Sequence, residues 1–196
     1  YSVTDVGPIS DEQGIGLTIL VRRCFYLDEV SGEQYPGIAS NFLCDIRAGQ
    51  QVQLTGPYKT PFHLPQDSNA NLLMIGTGTG IAPFRTMIQR VYRESIDWRG
   101  QVRLFFGARS GMESLYSNDK GSDLANYYDR DTFEAFNSLA LRPLSDERDA
   151  LTESLSSNIE EAWKLLNDAN TYVYLAGLQK TADVTHKVFS EYASEA

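Results

Sequence analysis

The sequence predicts a mostly β segment over residues 1–68 followed by an α/β domain with a parallel sheet over residues 69–196. Three observations carry this reading. Up to about Gln66 the apolar residues follow strand-like patterns, interrupted by one short helical piece. After Asn69, short apolar runs alternate with stretches of helical period, as in parallel sheets covered on both faces. At the change stands Met74-Ile75-Gly76-Thr77-Gly78-Thr79-Gly80-Ile81-Ala82-Pro83-Phe84, which reads as strand, tight glycine turn and helix.

In chain order, Tyr1-Ser2-Val3 is β-prone, and with no initiator methionine, leader or cap before it the start reads as a cut in a longer chain. The β-branched and aromatic run from Gly16 to Tyr26 predicts a strand, and Glu29 to Gly37, rich in Gly, Ser and Pro, a hairpin-like connection. Ser40 stands where a serine N-cap would begin a short helix over Asn41 to Ile46. Gln51 to Thr55 alternates as a strand and stops at Gly56-Pro57. Leu72–Ile75 predicts a buried strand. Ile81–Arg93 predicts a helix with Ile81, Phe84, Ile88 and Val91 on one face. Strands are expected at Val102–Gly107, ending at Leu139 to Leu141, and at Tyr172–Leu175; helices at Ile159–Leu166 and Thr181–Tyr192. The polar section Gly111 to Asp131 reads as loop with one irregular helix.

Usage of 42% hydrophobic and 22% charged residues over 196 positions is that of a globular chain. No apolar stretch approaches the roughly 18 residues of a membrane span, so the chain reads as soluble. A net charge of −9 argues against nucleic acid, which demands a concentrated basic face. Acid gathers between Ser117 and Glu161, whereas Arg22, Arg23, Arg85, Arg90, Arg93, Arg99, Arg103 and Arg109 come earlier. That asymmetry is either ordinary surface charge or a positive face for an acidic partner. Cys24 and Cys44 have no metal or redox spacing and are expected as reduced, buried thiols. His63 and His186 are too far apart in sequence to suggest a metal site.

The glycine turn has chemistry of its own. Glycines let the backbone approach a ligand closely, and the unpaired N–H groups of a helix start offer positive potential to a pyrophosphate. The spacing does not meet Gly-x-Gly-x-x-Gly, because position 81 is isoleucine, and no Walker lysine follows. Two readings stay open: a phosphate-binding turn, or a tight strand-to-helix turn that binds nothing.

Taken together, Tyr1-Ser2, Gly37 to Asp45, Thr55-Gly56-Pro57, Gly76 to Phe84, Phe105-Phe106-Gly107 and Asn170 to Leu178 form an ordered set. On these residues the sequence resembles the ferredoxin–NADP reductase family, in which an antiparallel FAD-binding barrel precedes an NADP-binding α/β domain. The resemblance implies a partial barrel over 1–68 and an NADP domain over 69–196. It also implies an internal piece of a longer reductase that alone retains FAD poorly or not at all.

The resemblance assigns Tyr1 to stacking on the flavin and Ser2 to hydrogen bonding near its N5, as the catalytic pair. Tyr26 would stack on the FAD adenine, and Gly37, Ile38, Ala39 and Ser40 would hold the FAD pyrophosphate. Gly76, Thr77, Gly78, Thr79, Gly80 and Pro83 would form the NADP pyrophosphate loop, with Thr77 near the nicotinamide and Arg22 reaching the phosphates. Arg109, Arg142 and Arg148 are further cofactor-binding candidates, and Gly177-Leu178 would close over the dinucleotide. For the 2′-phosphate the family's serine and tyrosine are missing beside Arg142 and Arg148, which leaves NADP and NAD both open. Ala176 stands where the family carries a cysteine that helps to position the nicotinamide.

The implied reaction is hydride transfer between nicotinamide C4 and flavin N5, with single electrons passed to or from ferredoxin or flavodoxin. Ser110 and Glu113 get no role in it. A cytoplasmic or plastid-stroma location follows from the same resemblance. A reductase module of a diflavin or oxygenase system, or an NADP(H)-binding module without turnover, is the alternative.

Overall fold

A computed structural model describes the chain apart from residues 10–13, 95–96, 110–115, 117–123, 129, 141–146 and 196. It divides into two compact units, Tyr1–Pro61 and Phe62–Ala196.

The first unit holds two separate antiparallel pairs. Strand β1 (Val3–Pro8) pairs with β2 (Ile15–Ile19), and β3 (Phe25–Leu27) with β4 (Gln34–Pro36). The run expected as one strand from Gly16 to Tyr26 is thus broken, because its two ends pair with different partners. The β3–β4 turn is held by Asp28, whose carboxylate accepts from the Val30 and Ser31 N–H groups at 2.9 and 2.7 Å. Those bonds, Ser31 first, keep the Asp28 carboxyl below its ordinary pKa.

Helix α1 runs Ile38–Asp45 with Gly37 at its N-cap. The N-cap role expected of Ser40 is therefore corrected. Ser40 is buried inside the first turn, where its hydroxyl accepts from the Cys24 N–H at 3.1 Å and so ties the helix to the start of β3. The alternating stretch Gln51 to Thr55 is not a strand and is exposed throughout. Alternation alone does not make one; a strand also needs a partner for its N–H and C=O groups, and among the described residues none pairs here. Cys24 and Cys44 are exposed free thiols, contrary to the expectation of burial.

The second unit is a parallel sheet flanked by helices. Its strands are β5 (Asn71–Thr77), β6 (Val102–Ala108), β7 (Phe133–Leu139) and β8 (Thr171–Ala176), in the order β7-β6-β5-β8 and all parallel. Every residue of β5 and β6 is buried, as expected of central strands whose two faces are both covered. Helix α2 (Ile81–Gln89) follows β5 and passes into a π-helical turn, Arg90–Glu94, where the sequence predicted unbroken helix. Ile81, Phe84, Ile88 and Val91 are buried on one side, as their period predicted.

Helices α3 (Glu147–Ser157) and α4 (Ile159–Leu166) lie between β7 and β8, and α5 (Gln179–Glu195) follows β8. Leu151 and Leu155 of α3, Ala162 and Leu165 of α4 and Val188 of α5 bury against Leu73, Ile75 and Phe105, one face of the sheet. Phe105 stacks on Phe136 with ring centres 4.6 Å apart. Near the amino end of β6, Arg103 is buried in a network. It donates to Glu161 at 2.8 Å, to Gln101 at 2.6 Å and to the Thr132 carbonyl at 3.1 Å. The entry to the unit is held as well: Phe62 lies against Phe84 and Tyr174, and the Tyr174 hydroxyl donates to the His63 carbonyl at 2.6 Å. Burial, and then the charge on Tyr172, raises the Tyr174 pKa.

Candidate functional site

Strand order places a crevice before any side chain is considered. Numbered from β5, the strands of the sheet run third, second, first, fourth, so the direction of winding reverses between β5 and β8. Parallel α/β sheets bind ligands at such a reversal, outside the carboxyl ends of the two strands. The loops that leave β5 and β8 there are Gly76–Gly80 and Gly177-Leu178. They are side by side because Gly76 and Ala176 are register partners.

Thr77 ends β5, and Gly78, Thr79 and Gly80 make a 3-10 turn before α2. Gly78 takes φ 55°, which favours glycine. Gly76 and Gly80 carry a steric requirement from within the protein itself. A Cβ on Gly80 would lie 2.2 Å from the Ala176 carbonyl oxygen, and one on Gly76 2.8 Å from the same oxygen and 2.9 Å from the Phe84 ring. At these two positions the backbone approaches its own neighbour strand. No side chain caps α2 at Gly80, and Thr79 is exposed at the crest. The start of the helix therefore presents backbone to an incoming group, as an anion requires.

Facing this loop, Gly177 adopts φ 157°, and a Cβ there would meet the Thr181 hydroxyl at 2.4 Å and the Thr77 hydroxyl at 3.0 Å. Those two hydroxyls are 3.1 Å apart and buried, Thr77 5% and Thr181 2% exposed. Thr181 is further fixed by its N–H to the Leu178 carbonyl at 2.8 Å and by the Thr185 hydroxyl, which donates to the Thr181 carbonyl at 2.9 Å. Leu178 itself stands 77% exposed at the loop tip. Nothing in the sequence pointed to Thr181. A threonine in a first helical turn is common, and only its approach to Thr77 sets it apart.

Pro83 lies half-buried in α2, and Arg109 half-buried just past β6. Arg148 is half-buried near the start of α3. Arg142, Ser110 and Glu113 lie outside the described residues. Among the described residues no group of three His, Cys, Asp or Glu is placed to hold a metal ion.

The candidate flavin residues belong to the first unit. Tyr26 pairs with Tyr35 across β3 and β4, and its ring edge would lie 3.5 Å from a Cβ on Gly37. An aromatic ring thus stands beside the start of α1, where Ile38 and Ala39 are exposed and no side chain caps the helix. Asn41 fastens this corner by donating to the Gly37 and Cys24 carbonyls at 2.7 and 2.9 Å. Arg23 donates to Asn41 at 2.9 Å and to Asp45 at 2.6 Å, and this bond holds the Asp45 carboxyl below its ordinary pKa. Arg22 is exposed before β3, and Tyr1 and Ser2 are exposed ahead of β1. An aromatic face beside an uncapped helix start fits the adenine and pyrophosphate of a dinucleotide such as FAD.

Comparison with known proteins agrees with this geometry. A model of the oxidoreductase NAD-binding domain family matches residues 74–187. Leaf isozyme 1 of the chloroplast ferredoxin–NADP reductase of Oryza sativa subsp. indica is 33% identical over 184 residues, covering 91% of this chain and 50% of that protein. The ferredoxin–NADP reductase of Synechocystis sp. is 30% identical over 200 residues, covering 100% of this chain and 48% of that protein. The chain thus spans about half the length of the curated relatives it matches. In fold it is similar to the solved ferredoxin–NADP+ reductase of Plasmodium falciparum, with a TM-score of 0.68 at 16% identity over 96% of this chain and 75% of that one. Over nearly its whole length the chain is similar to ferredoxin–NADP reductases, and it belongs to the oxidoreductase NAD-binding domain family, whose match begins on the strand that leads into the glycine loop.

Proposed function

We propose that this chain is the dinucleotide-binding part, with a portion of the flavin-binding part, of a reductase that moves hydride between NADP(H) and FAD. Single electrons then pass to or from ferredoxin or flavodoxin, in a compartment such as the cytoplasm or the plastid stroma. The observation that carries the reading is the pair of glycine loops at the reversal between β5 and β8. When bound, FAD and NADP(H) supply the hydride and electron chemistry, and the protein supplies placement and electrostatics.

In this reading Gly78, Thr79 and the first turn of α2 receive the NADP pyrophosphate. Gly76 and Gly80 bring the end of β8 close enough for Gly177-Leu178 to lie over the same ligand. Thr77 faces the nicotinamide end. Arg109 is a further contact to the cofactor, and Arg142 and Arg148 give the preference for NADP over NAD. In the first unit Tyr26 and Gly37 to Ser40 hold the adenine and pyrophosphate of FAD, and Tyr1 and Ser2 belong beside the flavin ring, while Arg22 serves the NADP phosphates.

Calorimetric titration of the folded chain with NADP+, NAD+ and FAD tests this. Binding of NADP+ in preference to NAD+ is expected, and a chain shown to be folded that binds neither nicotinamide overturns the reading. In the full-length protein, NADPH-driven ferricyanide reduction that requires FAD is the matching activity. Ferredoxin and flavodoxin are compared directly as acceptors.

A further inference from the structure

We infer that Thr181 is a positioning residue for Thr77: its hydroxyl donates to Thr77 Oγ1 and turns the Thr77 O–H towards the nicotinamide carboxamide. This deepens the dinucleotide reading above and rests on it. The two hydroxyls lie 3.1 Å apart, so they share one hydrogen bond between them. Two hydroxyl protons are present and one bond is made. The second proton has no acceptor among the described residues, although both side chains are buried. A buried hydroxyl without an acceptor costs free energy that a ligand acceptor would recover.

The geometry around the pair favours one direction. Thr181 is locked on three sides: by its own N–H to Leu178, by the Thr185 hydroxyl on its carbonyl, and by Gly177 directly above its Oγ1. Thr77 is the last residue of β5 and opens into the glycine turn. The fixed hydroxyl is the suitable donor within the pair, and the one at the mouth of the loop is suited to hand its proton outward. The acceptor fitting that proton is a neutral carbonyl oxygen at the nicotinamide end, since the phosphates are served by backbone at the start of the helix. Ala176, next to Gly177, carries only a methyl group and supplies no polar contact of its own.

The test uses the full-length protein, with Thr181→Val, which keeps the shape and removes the hydroxyl, and Thr181→Ser, which keeps the hydroxyl. Affinities are measured by calorimetry for NADP+ and for 2′-phospho-ADP-ribose, which ends before the nicotinamide. Thr181→Val is expected to weaken NADP+ roughly 5- to 10-fold, the loss of about one hydrogen bond. It should leave 2′-phospho-ADP-ribose within about twofold and slow NADPH-driven reduction about tenfold. Thr181→Ser should restore both, and Thr77→Val should show no further loss when combined with Thr181→Val.

Equal weakening of both ligands by Thr181→Val means a merely structural role and overturns the inference, as does an unchanged NADP+ affinity. If the wild-type protein binds neither ligand, the dinucleotide reading falls first and takes the inference with it. Should Thr181→Val fail to fold, Thr181→Cys, whose thiol is a weak donor, is read in its place against the same outcomes.

Discussion

At residue 80 a hydrogen atom is all the space allows, and the obstacle is backbone, which yields little. The Ala176 carbonyl oxygen would be 2.2 Å from a methyl group there. Gly100 is in the same position at the other end of the sheet, where a Cβ would lie 1.8 Å from the Ala70 carbonyl oxygen. Both alanine substitutions overpack a rigid contact and are expected to cost at least about 1–3 kcal/mol in urea unfolding. They should separate on ligand binding. Gly80→Ala displaces the dinucleotide loop and should weaken NADP+ as well, whereas the folded fraction of Gly100→Ala should bind normally. The sequence made the first glycine conspicuous by its spacing and gave no sign of the second, because Gly100 owes its importance to a carbonyl thirty positions away.

Tyr92 sets a pH limit at the same scale. Its hydroxyl is 2.9 Å from the Thr132 hydroxyl, its ring stacks on Tyr127, and burial raises its pKa from 10.0 to about 12. The folded state therefore keeps the phenol proton at pH values where the unfolded chain has lost it. Stability from this group is complete below pH 10 and is lost as pH rises towards 12. Thermal midpoints at pH 8 and pH 11 should fall less for Tyr92→Phe than for the wild type. Tyr174, shifted in the same direction, accounts for part of the remaining loss. A Tyr92→Phe protein that loses as much as the wild type would show that the alkaline transition lies elsewhere.

Among the elements, β5 and β6 were legible because buried parallel strands are short apolar runs, and the edge strand β8 carries such a run too although Tyr172, Val173 and Leu175 are exposed on it. Helix α3 was not. Its buried positions Ala150, Leu151, Ser154 and Leu155 keep a helical period but stand among Glu, Asp and Ser, and Ser154 turns its hydroxyl to the Phe136 carbonyl at 2.7 Å. That acid-rich stretch looked like surface, yet it covers one face of the sheet. Leu151→Ala should accordingly cost about 2–5 kcal/mol in chemical denaturation, as for other buried leucines, and a loss under 1 kcal/mol would mean that α3 is a loose cover. The opposite error occurred at Gln51 to Thr55, where alternation suggested a strand that has no pairing partner among the described residues. For the candidate site, the glycine loops were legible from spacing; the Thr77–Thr181 pair was not, since it joins residues 104 positions apart.

For the whole molecule, burial is divided unevenly between the units. Every buried apolar side chain among the described residues belongs to the second unit, while in the first Tyr1, Ile15, Tyr26, Leu27, Leu54 and Tyr58 are exposed. Two strand pairs and one short helix without a buried apolar centre do not supply independent stability. In the isolated chain, slow amide hydrogen exchange should therefore concentrate in β5, β6 and β8, and residues 1–61 should exchange quickly. Purified chain should likewise not retain stoichiometric FAD. Retention of FAD, or protection spread evenly over both units, would show that the first unit is stable by itself.

The position of β5 also bears on how the protein is made. It is the second unit's earliest strand, and one of its two neighbours, β8, is encoded about a hundred residues later. Phe62 likewise waits for Tyr174. On the ribosome, β5 and β6 can pair long before β8 emerges, so a nascent chain carries an open, apolar sheet edge through most of the unit's synthesis. Contacts so distant in sequence form slowly. Slow translation beyond α3 would prolong that exposure, and a chaperone acting on this protein is expected to engage it in that interval and release it once β8 has docked.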